Sequence, residues 1–218
     1  MVKNTNVKKI EKQHEELEAR LVFERKYLEL GYKNICGVDE AGRGPLAGPV
    51  VVASVIMPLD ENSLILGVND SKKLTPQKRE ELYHQIMSVA KAFKISIISE
   101  KVIDSINILN ATKQGMKEAI NGLNIKPDIA LIDAVKNLDV DVETVPIIKG
   151  DAKSYSIGAA SILAKVTRDK IMTDLSKQYP SYNFEKHKGY GTKEHIELLK
   201  KYGKCEIHRE SFIKNFFV

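Results

Sequence analysis

Asp39 and Glu40 stand side by side at the end of a short apolar run that begins at Ile35. A glycine-rich turn with one arginine, Gly42-Arg43-Gly44, follows, and then an apolar stretch from Val50 to Met57. Holding two carboxylates together away from water is costly unless a cation neutralises them. A divalent metal that takes oxygen ligands suits such a pair. The turn offers side-chain-free backbone and a guanidinium, which suits phosphate. Metal and phosphate at one strand end point to phosphoryl chemistry on a nucleic acid.

Two further acids occupy comparable places. Asp133 ends the apolar segment Asp128 to Ala134, and Asp151 follows the stretch Glu143 to Ile148 by way of Lys149-Gly150. In open α/β sheets ligands gather at the carboxyl ends of strands. Four carboxylates can hold two divalent ions about 3.5–4 Å apart, a spacing that suits in-line displacement at phosphorus. Hard oxygen donors favour Mg²⁺ or Mn²⁺ over Zn²⁺. Successive strand residues face opposite ways, so Asp39 and Glu40 share a site only if the strand is ending and the longer Glu curls back. Asp151 opens a predicted helix, whose dipole favours the anion and opposes a cation. Taken alone, Asp133 reads equally well as a turn former. Lys72, Lys73, Lys186 and Lys188 fit a phosphate track and equally a solvated surface. His187, His195 and His208 have no cysteine at zinc-ligand spacing, so no zinc is expected.

The elements that would position these groups alternate. Residues 5–31 read as one helix with Ile10, Leu17, Leu21 and Leu28 on a stripe, stopped at Gly31. Strands are predicted over 35–40 and 50–57, with Pro45 and Pro49 bounding the turn between them. Thr75-Pro76 reads as an N-cap and first helical residue, opening a helix to Phe93. A strand follows over 94–100. Asn110 caps a helix to Gly122, and strands over 128–134 and 143–148 precede a long helix over 153–178. The last forty residues read as loop plus short helix. This order predicts an α/β fold, a mixed central sheet with helices on both faces. The expected division is an N-terminal helical extension over 1–32, a catalytic core over 33–180, and a C-terminal region over 181–218 that completes the substrate site.

Composition narrows the class. The 218 residues are 43% hydrophobic and 29% charged, with a formal charge of +5 and a pI of about 9.0. No apolar run approaches the roughly 18 residues that span a bilayer, and the basic N-terminus lacks the apolar stretch of a secretory signal. Cys36 and Cys205 are the only cysteines, which favours a reducing cytoplasm. No Walker-type phosphate loop is present.

The stretch Asp39-Glu-Ala-Gly-Arg-Gly-Pro-Leu-Ala-Gly-Pro49 resembles the signature of the bacterial ribonuclease HII family, type 2 ribonuclease H. The likeness continues in Asn69-Asp-Ser-Lys-Lys-Leu74, Asn107-Ile-Leu-Asn-Ala-Thr112, Leu131-Ile-Asp133, Lys149-Gly-Asp151, Ala159 to Asp169 and His187-Lys-Gly-Tyr-Gly-Thr192. The resemblance implies a ribonuclease H-like fold whose core does not require the N-terminal extension. It implies that Asp39, Glu40, Asp133 and Asp151 are the catalytic and metal residues, with two Mn²⁺ or Mg²⁺ ions during catalysis. It implies that backbone of Gly42-Arg43-Gly44 contacts the ribose 2′-hydroxyl, the group that separates RNA from DNA at one nucleotide. Tyr190 then stacks on the next deoxyribose; the alternatives are a structural ion pair for Arg43 and a buried ring for Tyr190. Lys72 and Lys188 join the substrate-binding set. The substrates implied are RNA/DNA hybrids and DNA containing ribonucleotides, cut on the 5′ side to leave 5′-phosphate and 3′-hydroxyl ends by a monomer. Rival readings are a nuclease of the same fold acting on another nucleic acid, and a binding protein without catalysis. The tail from Glu210 to Phe217 resembles sliding-clamp-binding peptides; folding back on the domain is the alternative.

Overall fold

In the computed structural model, which describes residues 2–216, five strands form one mixed sheet in the order β3-β2-β1-β4-β5. They are β1 (Ile35–Ala41), β2 (Val50–Ile56), β3 (Ala92–Ile98), β4 (Ile129–Asp133) and β5 (Glu143–Ile147). β1 and β2 pair antiparallel, as do β2 and β3, whereas β1–β4 and β4–β5 are parallel. The carboxyl ends of β1, β4 and β5 therefore lie along one edge.

Alternation sorts the sheet's side chains between two helical layers. Val51, Ala53 and Val55 pack on one face with Tyr155, Ala159 and Leu163 of the long helix α6 (Tyr155–Gln178) and with Leu82 and Ile86 of α3 (Pro76–Val89). Val52 and Ile56 pack on the other with Met116, Ala119 and Ile120 of α4 (Glu100–Asn121). β2 is buried along its whole length, which explains its unbroken apolar run. α6 runs closest to the sheet at Gly37, where any Cβ would collide with the backbone of Ser156.

Several boundaries differ from the sequence reading. The N-terminal segment is two helices, α1 (Val2–Arg20) and α2 (Val22–Glu29), broken at Leu21. Leu17 and Leu21 are buried, but Ile10 is 50% and Leu28 39% exposed. Glu24 and Tyr27 are the buried positions of α2, so the second half of the extension is built into the core. α3 stops at Val89, and Phe93 lies in β3 opposite Val55. α4 begins at Ser99, whose hydroxyl caps it, and breaks at Asn107, where φ is 65°. The Asn107 side chain then accepts from the amides of Leu109 and Asn110, so Asn107, not Asn110, is the inner cap. Asp151 sits in a separate short turn, α5 (Gly150–Lys153), joined to α6 through Ser154. The C-terminal region holds α7 (Phe184–His187), α8 (Lys193–Tyr202) and α9 (Glu210–Ile213) rather than one short helix. Ile213 is 2% exposed and packs with Leu46 and Leu199, so this part of the tail folds back. Phe217 and Val218 lie outside the described residues.

Candidate active site

The register of the parallel strands brings the acids together. Val38 pairs with Ile132, so Asp39 and Asp133 stand at the same level on neighbouring strands, separated by about the 4.8 Å strand spacing. Asp133 pairs with Ile147 at the end of β5, and Asp151 follows after a turn in which Lys149 is left-handed. The Gly150 amide donates to Asp133 Oδ1 at 2.7 Å, tying that turn to β4. Glu40 lies one residue on and projects from the opposite side of β1 by alternation. β1 continues to Ala41, so the strand does not end at Asp39 as the sequence reading required. Glu40 nevertheless stays within electrostatic reach of Asp133.

The electrostatics of this edge are those of crowded anions. Burial pushes the Asp39 carboxyl well above the usual range, and Glu40 and Asp133 push it further, against the Ser161 hydroxyl beside it. Burial also raises Glu40, with Arg43 opposing, and raises Asp151, with Asp70 and Asp133 adding to the shift and Lys72 opposing it. Glu40 Oε2 is buried without a partner. Like charges held so close call for a cation, and an all-carboxylate donor set fits Mg²⁺ or Mn²⁺. As the side chains stand, no three acids among the described residues close on one ion position. Each is turned to its own donor: Asp39 to the Glu40 amide, Glu40 to Arg43, Asp133 to the Gly150 amide, and Asp151 towards Lys72 Nζ at 3.8 Å.

Beside this edge is a cleft of about 500 Å³ lined by one of the four acids, Glu40, together with Gly42, Arg43, Gly44, Lys72 and Tyr190. Two fully buried arginines that the sequence reading passed over hold its far wall. Arg168 of α6 donates to the carbonyls of Pro49, Lys188 and Ala47 at 2.9, 2.9 and 3.1 Å. Arg209 donates to those of Gly48, Arg43 and Gly42 at 2.9, 3.0 and 2.6 Å. Burial lowers Arg168 to about 10 and Arg209 to about 9, Arg209 also feeling Arg168; both remain cationic at neutral pH. In a trans peptide the N–H points opposite to the preceding C=O. Drawing the Gly42 and Arg43 carbonyls onto Arg209 therefore turns the Arg43 and Gly44 amides outward, and neither donates to a protein acceptor among the described residues. Gly42 is required here: φ is +99°, and a Cβ would strike the Arg168 side chain.

Tyr190 is 40% exposed, with Arg168 Cζ 5.7 Å and Lys165 Nζ 6.0 Å from its ring centre. Arg43 pairs with Glu40 at 3.3 Å, the alternative kept open above. Lys72 lines the cleft, but Lys188 does not. Its amine donates to Thr173 Oγ1 at 2.6 Å, and it faces an adjoining groove of about 710 Å³ beyond Lys165. The three histidines form an internal relay below Tyr190. His195 Nδ1–H donates to the Tyr190 carbonyl, which leaves Nε2 to accept from His208 Nε2–H. His208 Nδ1 in turn accepts from the Cys205 amide. His187 stacks on His195 at 4.4 Å. Burial lowers all three, His208 to about 4 with His195 adding to the effect, so the relay is neutral at physiological pH.

Two solved archaeal structures share this architecture. Ribonuclease H2 of Pyrococcus horikoshii superposes with a TM-score of 0.71 at 27% identity over 84% of this chain and 97% of that one. Ribonuclease HII of Archaeoglobus fulgidus, solved in a complex with PCNA, gives 0.72 at 27% identity over the same shares. The mixed sheet with an acidic edge thus defines a nuclease of the ribonuclease H-like class. A family model described as Ribonuclease HII matches residues 36–215. Ribonuclease HII of Caldicellulosiruptor bescii is 59% identical over 88% of this chain and 93% of its own length, and that of Bacillus licheniformis 54% over 91% and 76%. The chain belongs to the ribonuclease HII family: it is an endoribonuclease that cleaves RNA in RNA/DNA hybrids and at ribonucleotides embedded in DNA, with the metal dependence general to that family.

Neutralising Asp39 relieves repulsion that a bound cation or a proton would otherwise relieve. Metal-free Asp39→Asn should therefore melt above the metal-free wild type at pH 7.5, and Mn²⁺ should raise its Tm far less. A carboxyl raised in the folded state penalises folding above its folded pKa, and the penalty fades as pH falls below it. The advantage of Asp39→Asn should accordingly shrink on acidification. Thermal unfolding with chelator and with Mn²⁺ from pH 7.5 to 5 reads both; an Asp39→Asn protein less stable than the metal-free wild type throughout would contradict the assignment.

Proposed function

We propose that Asp39, Glu40, Asp133 and Asp151 hold two divalent ions, Mg²⁺ or Mn²⁺, and that the chain cuts on the 5′ side of a ribonucleotide, leaving 5′-phosphate and 3′-hydroxyl ends. The observation that carries this reading is a crowded carboxylate edge, with Asp39 pushed up by burial and by its acidic neighbours, beside a cleft whose wall carries outward-turned loop amides. The ions would supply activation of the attacking water and neutralisation of the leaving 3′ oxygen. Everything else falls to side chains and backbone of this chain.

The Arg43 and Gly44 amides offer donors to a 2′-hydroxyl, a group that DNA lacks. Without that hydroxyl the amides would be desolvated unpaired, which disfavours an all-DNA strand. The Arg43 guanidinium keeps donors free beyond its bond to Glu40 and suits the scissile phosphate. The Tyr190 ring, held through its carbonyl by His195, packs on the sugar that follows. Lys72, beside Asp151, balances charge at the acidic edge until metal and phosphate enter. Lys188 serves a flanking phosphate in the adjoining groove rather than the reacting nucleotide.

The cellular task that follows is removal of ribonucleotides from DNA by a cytoplasmic monomer. This reading is consistent with the finding that no helix among the described residues is long and apolar enough to cross a membrane. Any contact with a sliding clamp, the partner solved with the Archaeoglobus fulgidus protein, would leave Ile213 out, because Ile213 is buried. Deleting residues 216–218 should weaken clamp capture without lowering nuclease activity; unchanged capture sinks that contact.

A labelled DNA duplex carrying one ribonucleotide tests the main reading. With Mg²⁺ or Mn²⁺ it should be nicked just 5′ of the ribonucleotide, and chelator should abolish the nick. Asp133→Asn should lose cleavage by three orders of magnitude or more while still binding the duplex. Equal cutting of an all-DNA duplex, or retained cleavage by Asp133→Asn, would refute it.

A further inference from the structure

Glu24 lies in the N-terminal extension, outside residues 36–215 that the family model covers, yet its carboxyl is fully buried. Glu24 Oε1 accepts from the Ser154 hydroxyl at 2.6 Å and from the Ser156 amide at 2.8 Å. First-turn amides of a helix have no intrahelical acceptor. Here the extension supplies the acceptor for one of them, and Ser154, itself held by Glu24, takes the Ile157 amide. A carboxyl group from outside the helix thus caps the helix that backs β1 and β2.

The same junction carries Asp151. The Ser154 amide donates to the Gly150 carbonyl at 2.8 Å, closing the α5 turn, and the Gly150 amide donates to Asp133. The turn has little room to move: a Cβ at Gly150 would press on Ile157, and one at Gly158 would crowd the Asp151 carbonyl. On the sheet side, Gly37 abuts the Ser156 backbone two residues before Asp39. The α5–α6 junction is therefore held by β1 on one side and by Glu24 on the other.

We propose that Glu24 is a positioning residue for the metal site, setting the Asp151 carboxylate against Asp133 and Asp39 through Ser154 and Ser156. The extension is then part of the active site's support and not an appendage. Glu24 Oε2 and Ser156 Oγ are both buried without partners, and burial raises the Glu24 carboxyl. A hydrogen bond between Oε2 and Ser156 Oγ would satisfy both atoms. Glutamine reproduces that arrangement, with its carbonyl accepting and its amide donating, whereas leucine fills the volume and offers no acceptor.

The test compares Glu24→Gln, Glu24→Asp and Glu24→Leu in the full chain, by Mn²⁺ titration followed by electron paramagnetic resonance and by amide hydrogen exchange. Outer-shell supports of metal ligands commonly govern 10- to 100-fold in metal affinity. Glu24→Leu should bind Mn²⁺ about 10-fold or more weakly by that measure, Glu24→Gln should match the wild type, and Glu24→Asp, one methylene short, should shift in the direction of leucine. Exchange should quicken at Ser156 and Ile157 in the leucine and aspartate variants only. The aspartate variant keeps a polar group at the site and serves if leucine prevents folding. Wild-type Mn²⁺ affinity in folded Glu24→Leu or Glu24→Asp, even with a lower Tm, would reduce Glu24 to a structural anchor and overturn the proposal. Because the proposal rests on Asp151 being a ligand, a wild type that binds no Mn²⁺ would refute that assignment and its consequence together; unchanged exchange with normal wild-type binding would refute Glu24 alone.

Discussion

Two guanidinium groups buried without a carboxylate partner are the constraint around which the substrate cleft is arranged. Arg168 and Arg209 are compensated by six backbone carbonyls, five of them from the segment between β1 and β2. A buried cation left unpaired would be prohibitively costly, so the loop must present its oxygens inward wherever these arginines are charged. The inward carbonyls dictate the outward amides, which leaves two backbone donors on the wall of the cleft. The sixth carbonyl, from Lys188, couples Arg168 to the turn that carries Tyr190, so one pair of side chains holds both the loop and that turn.

The acids and the arginines divide the work by sign. Carboxylates occupy the strand ends, where parallel register aligns Asp39 with Asp133. Buried cations sit behind the loop, Arg168 on α6 and Arg209 just before α9, and bond its carbonyls. Arg43 and Lys72 are the exposed bridges between the two regions. α6 serves both: its first turn, capped from the extension by Glu24, backs the acidic edge, and Arg168, further along the same helix, anchors the loop. A single helix thus fixes the distance between the acidic edge and the loop backbone, which is what in-line chemistry at one chosen phosphate would require under the proposed reading.

Much of this was legible in the residues. The two-faced sheet follows from alternation, and the placing of Asp39 and Asp133 near strand ends from the apolar runs before them; the grouping of four acids with the Gly-Arg-Gly turn came from the family resemblance. The helix break at Asn107 was not legible, because a left-handed asparagine inside a polar helical pattern leaves the hydrophobic period nearly intact. Arg168 and Arg209 escaped for a related reason. A buried arginine usually betrays itself by an acidic partner, and here the partners are carbonyls, which every residue carries. Glu24 lay among the charged residues of an amphipathic segment and looked solvated; its burial depends on where the helix breaks at Leu21. The histidine relay is assembled from α7, α8 and the following turn, so no spacing in the chain could announce it.

The most direct test is single-turnover cleavage of a one-ribonucleotide duplex by Arg209→Lys and Arg209→Gln, with Mn²⁺ affinity measured on the same preparations. Lysine can reach only part of the carbonyl set, and glutamine carries no charge to hold it. The account predicts that cleavage falls by about two orders of magnitude or more, comparable to the loss of a positioned donor, while Mn²⁺ affinity stays at the wild-type value. Wild-type cleavage in folded Arg209→Gln would contradict it, because the loop amides would then owe their orientation to something other than the buried guanidinium.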